Sequence, residues 1–168
     1  MPLTPFSGLS SLSVELAYVE FTSGLLVTAT TAGAAQDVVS SGTVAYDGSA
    51  VVIEFYAPVI EPGSSGGIML LLQDGASILG QFAYVQPGSA VINDQQVTPI
   101  RRLVPTPGNH TYKVTAYRAT ANGNIYSGVG GSGNYLPGFI RVSRVETQVN
   151  VPIPISVPNP MGLIVAMS

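Results

Sequence analysis

Prolines and glycines interrupt this chain so often that no helix of useful length fits between them. The 13 prolines and 19 glycines fall at short intervals. Proline removes a backbone donor and clashes with the preceding turn, and glycine weakens a helix interior. No run with apolar residues at 3.6-residue spacing survives this punctuation.

The patterns between the breakers have a period of two instead. The clearest is Ala50 to Pro58, AVVIEFYAP, in which Val51, Ile53, Phe55 and Ala57 point one way and Val52, Glu54 and Tyr56 the other. That alternation is the signature of a half-buried strand. Similar runs lie at Leu12–Thr22, Leu25–Thr30, Gly67–Gln73, Ser77–Val85, Val97–Val104, Thr111–Arg118, Ile125–Val129 and Gly138–Val145. Turn pairs separate them: Asp47-Gly48, Pro62-Gly63, Asp74-Gly75, Pro87-Gly88, Pro107-Gly108 and Asn122-Gly123. Asn122-Gly123 is the strongest hairpin signal of the set. Short strands without intervening helices predict an antiparallel sandwich, of jelly-roll or immunoglobulin-like kind. The segment GIMLLLQD, Gly67 to Asp74, is apolar on both faces. It suits a central strand that either touches a second subunit or lies wholly within one sandwich.

A chain of 168 residues supports one core and one domain. Residues 1–147 are assigned to a single sandwich, with residues 1–35 as additional N-terminal strands, and residues 148–168 to an extended C-terminal arm. The arm is set apart by prolines 152, 154, 158 and 160, which fix their own φ and push their neighbours to extended geometry. It carries the apolar run Gly162-Leu163-Ile164-Val165-Ala166-Met167. Such a run favours pairing with a sheet edge or burial against a neighbour. Pro152, Pro154, Pro158, Leu163, Ile164 and Val165 are therefore the predicted assembly contacts.

Charge supports the same expectation. Only 9% of residues are charged, against about 25% in a typical soluble domain. Large uncharged surfaces on such a chain point to association. The net charge of −3 conceals an asymmetry: every acid except Glu146 lies at or before Asp94, and all six Lys and Arg lie from Arg101 to Arg144. The two halves should attract each other. Six cations without interleaved aromatics fall short of a nucleic-acid stripe, so no nucleic-acid partner is expected. No run of about 18 apolar residues spans a bilayer, so no membrane partner is expected either. The N-terminal MPLTPFSGLSS lacks the basic and apolar regions of a secretory signal. The expectation is a protein made and assembled in a cytoplasm, with Asn109-His110-Thr111 read as a turn rather than a glycosylation site.

Residue types that carry chemistry are sparse. There are no cysteines, hence no disulfide, thiolate ligand or thiol nucleophile. His110, the single histidine, lies in PGNHT with no acid near it in sequence and reads as an exposed turn or strand-entry residue. Glu15 with Glu20, or Asp47 with Glu54, are the carboxylate pairs a glycosidase would need, and nothing in their spacing requires pairing. They read as solvent-facing strand and turn residues. GVGGSG, Gly128 to Gly133, matches a dinucleotide fingerprint formally, but Asn134-Tyr135-Leu136-Pro137 leads into a strand rather than a helix. Asp37, Asp47, Asp74 and Asp94 have no EF-hand spacing, leaving only an ion on a symmetry axis as a metal alternative. No catalytic residue, cofactor or metal is assigned.

The stretches TPGNHTYKVTAYRATANG and IYSGVGGSGNYLPGFIRVSRV, across Pro107 to Val145, resemble the closing half of the TNF/C1q-like jelly-roll domains of bacteriophage virion proteins. A G-x-H-T-Y-x-V strand precedes a glycine-rich loop and a final P-G-F-I-R-V strand. Tyr112, Val114 and Ala116 form an inward row and Phe139 heads the last strand. VVSSGTVAYDGSAVVIEFYAP, from Val38, resembles the opening strand pair of the same domains; residues 1–35 and the arm lie outside the resemblance. The resemblance implies an all-β antiparallel jelly-roll sandwich, a homotrimer, and a non-enzymatic virion protein that decorates the capsid or the head or tail surface. Its partners would be itself and other virion proteins such as the major capsid or a tail protein. The alternative is a receptor-binding knob recognising host glycan, with Tyr46, Tyr126 and Tyr135 as stacking residues. A cell-wall hydrolase is the remaining reading, disfavoured by the missing catalytic groups.

Overall fold

The computed structural model describes residues 13–64, 66–87, 94–130 and 133–145. Its strands are β1 (Ser13–Phe21), β2 (Leu25–Val27), β3 (Gln36–Ser40), β4 (Val44–Tyr46), β5 (Val51–Glu61), β6 (Ile68–Asp74), β7 (Ser77–Val85), β8 (Gln95–Val97), β9 (Ile100–Leu103), β10 (Gly108–His110), β11 (Tyr112–Arg118), β12 (Gly123–Tyr126), β13 (Val129–Gly130), β14 (Gly133–Asn134) and β15 (Gly138–Val145). A 3-10 turn at Ala32–Ala34 is the one helical element among the described residues.

Two antiparallel sheets hold the core. One runs β1-β15-β5, with β9 and β8 also paired to β5 and with β12-β2 continuing beyond its far half. The other runs β3-β11-β6-β7. Numbered by the principal strands β1, β3, β5, β6, β7, β9, β11 and β15, the sheets read 1-8-3-6 and 2-7-4-5. That order is a jelly roll, in which first and last strands lie side by side in one sheet, the first at its edge. The fold class is therefore an all-β antiparallel jelly-roll sandwich.

The strand β5 organises the first sheet, and its sequence explains why. Val51, Ile53, Phe55 and Ala57 are buried while Val52, Glu54 and Tyr56 are partly exposed, the alternation its sequence predicts. Its length is greater than predicted, since it continues past Pro58 to Glu61. The pairing with β8 shifts register between Ala57 and Ile60, so the irregularity falls where proline offers no amide to the ladder. Ile60 thereby returns to the buried face. The predicted strand Val97–Val104 is broken at Thr98-Pro99 into β8 and β9, although the Pro99 carbonyl still accepts from Phe55 N at 3.1 Å.

The hairpin expected at Asn122-Gly123 does not form. β11 pairs with β3 and β6, whereas β12 pairs with β5 and β2, so the connection crosses from one sheet to the other. The glycine serves close approach rather than a tight turn: a Cβ on Gly123 would lie 2.6 Å from the Glu61 carbonyl oxygen and 2.7 Å from Ile68 Cδ1. Burial of β11 and β12 in different sheets outweighs the local turn preference.

Phe55, Ile53, Ile60, Ile68, Leu70, Ile125, Ile140, Tyr112 and Val114 fill the space between the sheets. The inward row Tyr112, Val114 and Ala116 is as predicted. In β6, Ile68, Leu70 and Leu72 enter this core, and Leu71 and Gln73 on the opposite face are also buried within the single chain. Gln73 Nε2 donates to Thr115 Oγ1 at 3.1 Å there. Of the two readings of GIMLLLQD, burial within one sandwich accounts for the strand. The charge asymmetry resolves into contacts across the chain: Lys113 with Asp37, Arg141 with Glu54, Arg144 with Asp47 and His110 with Asp74. The arm contacts predicted at Pro152, Pro154, Pro158, Leu163, Ile164 and Val165 lie outside the described residues.

Candidate functional site

Cross-strand partners share a face of the sheet, so the register of β1, β15, β5 and β9 defines one outer surface. Tyr18 lies opposite Arg141, Glu20 opposite Phe139, Phe139 opposite Tyr56, Arg141 opposite Glu54, and Glu54 opposite Ile100. Three aromatic rings line up across the strands: Tyr18 and Phe139 have centroids 5.1 Å apart, and Tyr56 and Phe139 5.5 Å apart. Beside this ladder, Arg141 Nη2 donates to Glu54 Oε2, and a groove of about 250 Å³ is lined by Ser13, Val52, Glu54, Arg141, Ser143 and Val145. Tyr18 Oη donates to Glu20 Oε1 at 3.0 Å. Desolvation, with Glu20 as acceptor, holds the Tyr18 phenol above its ordinary value, so the ring stays neutral. The surface thus combines exposed apolar area, Ile100 at 61% and Tyr18 at 44%, with the Arg141–Glu54 and Tyr18–Glu20 pairs.

The sequence places Tyr56 on the outward row and Phe139 at the head of the last strand. It does not single out Tyr18, whose position depends on β1 joining β15. Gly138 supports this corner, because a Cβ there would meet Phe21 Cζ at 2.2 Å and the Tyr56 carbonyl oxygen at 2.8 Å. Phe21 can then stack on Phe55 at 5.9 Å.

The three tyrosines considered for sugar stacking have different fates. Tyr46 is buried, its ring edge-on to His110 and to Tyr112, and burial pushes its phenol up to about 12. It cannot stack on a ligand. Tyr126 and Tyr135 stack on each other at 5.7 Å. Tyr126 Oη donates to Glu61 Oε2 at 2.7 Å and Asn124 Nδ2 to the same oxygen at 3.2 Å. The glycine-rich segment beside them forms the β13–β14 pair.

Of the two positions read for His110, turn or strand entry, the second holds, since it ends β10 just before β11 and is partly buried, and the acid missing from its sequence neighbourhood comes from β6. Its Nδ1 lies 2.5 Å from Asp74 Oδ2, and its Nε2 lies 2.8 Å from the Thr106 carbonyl oxygen. Asp74 Oδ1 also accepts from Thr111 N at 3.2 Å. Both ring nitrogens face acceptors, which suits the protonated imidazole, and the hydrogen bond to Asp74 raises the His110 pKa above 6.5. A histidine locked in this way ties β10 to β6 and offers no free nitrogen as a base.

Three of the four carboxylates considered for glycosidase chemistry are held by other groups. Glu54 binds Arg141, Asp47 binds Arg144 and accepts from Ser49 N at 2.9 Å, and Glu20 accepts from Tyr18. The Ser49 amide, with Arg144 nearby, holds the Asp47 carboxyl below its ordinary value. Among the described residues, no three His, Asp or Glu side chains converge as a metal site would require. Arg118 is spent on the Thr28 and Thr120 carbonyls.

No protein-family model matches the chain, and no curated protein matches it significantly. Solved structures similar to it include a family 35 carbohydrate binding module from Clostridium thermocellum, at 12% identity and TM-score 0.30, covering 79% of this chain and 98% of that one. The C-terminal CBM6 of LamC, a marine laminarinase from Zobellia galactanivorans, matches at 11% identity and TM-score 0.30, covering 80% and 100%. The CBM22-1 xylan-binding domain of Paenibacillus barcinonensis Xyn10C matches at 14% identity and TM-score 0.31, covering 81% and 94%. At these values the jelly-roll assignment rests on the strand order, and no ligand follows from the likeness.

Proposed function

We propose that the chain is a non-enzymatic structural subunit that assembles with itself as a homotrimer, a TNF/C1q-like decoration or head or tail surface protein of a bacteriophage virion. The observation that carries the assembly reading is the Tyr18–Phe139–Tyr56 ladder on the outer face of the β1-β15-β5-β9 sheet. Aromatic side chains are enriched at protein interfaces. Glu54 and Glu20 beside the ladder are engaged within the chain, so covering the face leaves both with partners. The virion assignment rests on the motif of Pro107 to Val145, whose P-G-F-I-R-V segment becomes β15 and delivers Phe139 to this face.

Light scattering on the purified protein tests the assembly: a mass of three chains is expected, and Phe139→Asp should reduce it to one chain, since a charge would be buried without a partner. A wild-type protein that stays monomeric at tens of micromolar, well above the dissociation constants of stable complexes, would overturn the reading. Counting copies in intact particles then separates a regular capsid array from a few copies at a tail.

One observation favours the second reading, a receptor-binding knob for host glycan. The Tyr126–Tyr135 stack sits beside the Glu61 carboxylate and the Asn124 amide, a pairing of aromatic and polar groups that sugars use. Specific hits on a glycan array that vanish in Tyr135→Ala would support it; an array without hits would remove it.

A further inference from the structure

Along one side of the sandwich the two sheets end on strands with a single neighbour: among the described residues β7 pairs with β6 alone and β9 with β5 alone. A slot of about 240 Å³ lies between these two strands. Part of its wall belongs to the core, since Leu72 is buried and Phe82 and Leu103 pack against the core cluster. A missing side chain opens it. Gly80 pairs with the buried Leu72, and cross-strand partners share a face, so Gly80 stands on the core-facing row. A Cβ there would meet nothing within 4 Å, and its φ of +150° is one that L side chains rarely adopt. Backbone geometry thus reserves the position for glycine and leaves the space beside it empty.

The other end of the slot is polar. Arg101 pairs with Ile53, which is fully buried, and Leu103 with Val51, so both lie on the inward row of β9. Arg102, opposite the partly exposed Val52, faces the other way. Arg101 is exposed nonetheless; a long side chain can cover apolar surface while its charged end stays in water. Gln81 also lines the slot. Among the described residues, neither the Arg101 nor the Gln81 side chain has a hydrogen-bond or ion-pair partner. A guanidinium offers donors only, and the Gln81 amide can add another.

We propose that the β7–β9 slot is a binding site for a small aliphatic carboxylate, with the carboxylate on Arg101 and the hydrocarbon chain on Leu72, Phe82 and Leu103. The planar guanidinium matches the two oxygens of a carboxylate, and the pairing is strong because both groups are charged. Charge favours this class over a phosphate ester: Arg101 supplies one positive charge, whereas a phosphate monoester carries about two negative ones. The volume falls below that of pockets built for drug-sized ligands, which limits the chain to medium length. The site does not depend on the assembly reading. Arg101 and Leu103 stand on the inner face of β9, whereas Ile100, opposite Glu54, belongs to the outer face that carries the aromatic ladder.

Isothermal titration of the full chain with octanoate tests the site. One saturable site per chain is expected, weakening about fourfold for each methylene removed through heptanoate to hexanoate, as burial of that group predicts. The alcohol 1-octanol should bind roughly tenfold more weakly than octanoate, because the charged hydrogen bond is lost. Arg101→Gln should erase that difference, and Arg102→Gln, on the opposite face of the same strand, should retain it. Far-ultraviolet dichroism checks the fold of both variants, and the wild-type series decides alone should Arg101→Gln not fold. No saturable binding, an affinity independent of chain length, octanol binding as tightly as octanoate, or equal losses in the two arginine variants would overturn the inference.

Discussion

At the scale of single residues, His110 makes a prediction with a definite sign. Its pKa is raised above 6.5 in the fold because Asp74 and the Thr106 carbonyl both favour the protonated ring. Its contribution to stability is then complete below pH 6.5, the ordinary value, and is lost as pH rises through the raised one. Thermal unfolding should show a midpoint that declines across that interval, and His110→Gln should lack this decline; parallel curves for the two proteins would refute the assignment. Gly123 makes a second prediction. A methyl group there meets the Glu61 carbonyl oxygen at 2.6 Å, and backbone cannot rotate away as a side chain can. Gly123→Ala should lower the unfolding free energy by about 1–3 kcal/mol, the usual cost of overpacking, measured by urea titration. A hairpin glycine would instead have shown its cost through a positive φ, and Gly123 has none.

At the scale of elements, the longer strands were the ones located from the sequence. β7 and β15 fall on their predicted bounds and β6 and β11 within one residue of theirs, while β5 runs three residues past Pro58. β3, β4 and β10 have three to five residues each, too few to show a period, and only the resemblance from Val38 pointed to the first two. The aromatic ladder belongs to this scale as well. Tyr18, Phe139 and Tyr56 come from strands far apart in sequence, and no local pattern announces that they will stand in one row. Phe139→Asp, which places a charge in the middle of that row, should abolish the trimer while leaving the far-ultraviolet dichroism unchanged; loss of the strand signal would show that the ladder belongs to folding rather than to assembly.

At the scale of the whole molecule, the buried residues from Val27 to Val142 form one core cluster between the two sheets. Deleting Val151 to Ser168 should therefore preserve the β-sheet spectrum and cooperative unfolding but weaken incorporation into assemblies. A truncated chain that fails to fold would place the segment in the core. Much of this organisation was legible beforehand: the lack of an α-helix among the described residues, the antiparallel sandwich, the inward row of β11 and the attraction between an acidic and a basic half all follow from spacing and charge, which are properties of the chain read in order. The partner of His110, the crossing at Gly123, the ladder on the outer face and the slot between β7 and β9 were decided only by tertiary structure. Each depends on which strands become neighbours, and a jelly roll sets its neighbours by long-range pairing, first strand beside last, whose register no stretch of local sequence contains.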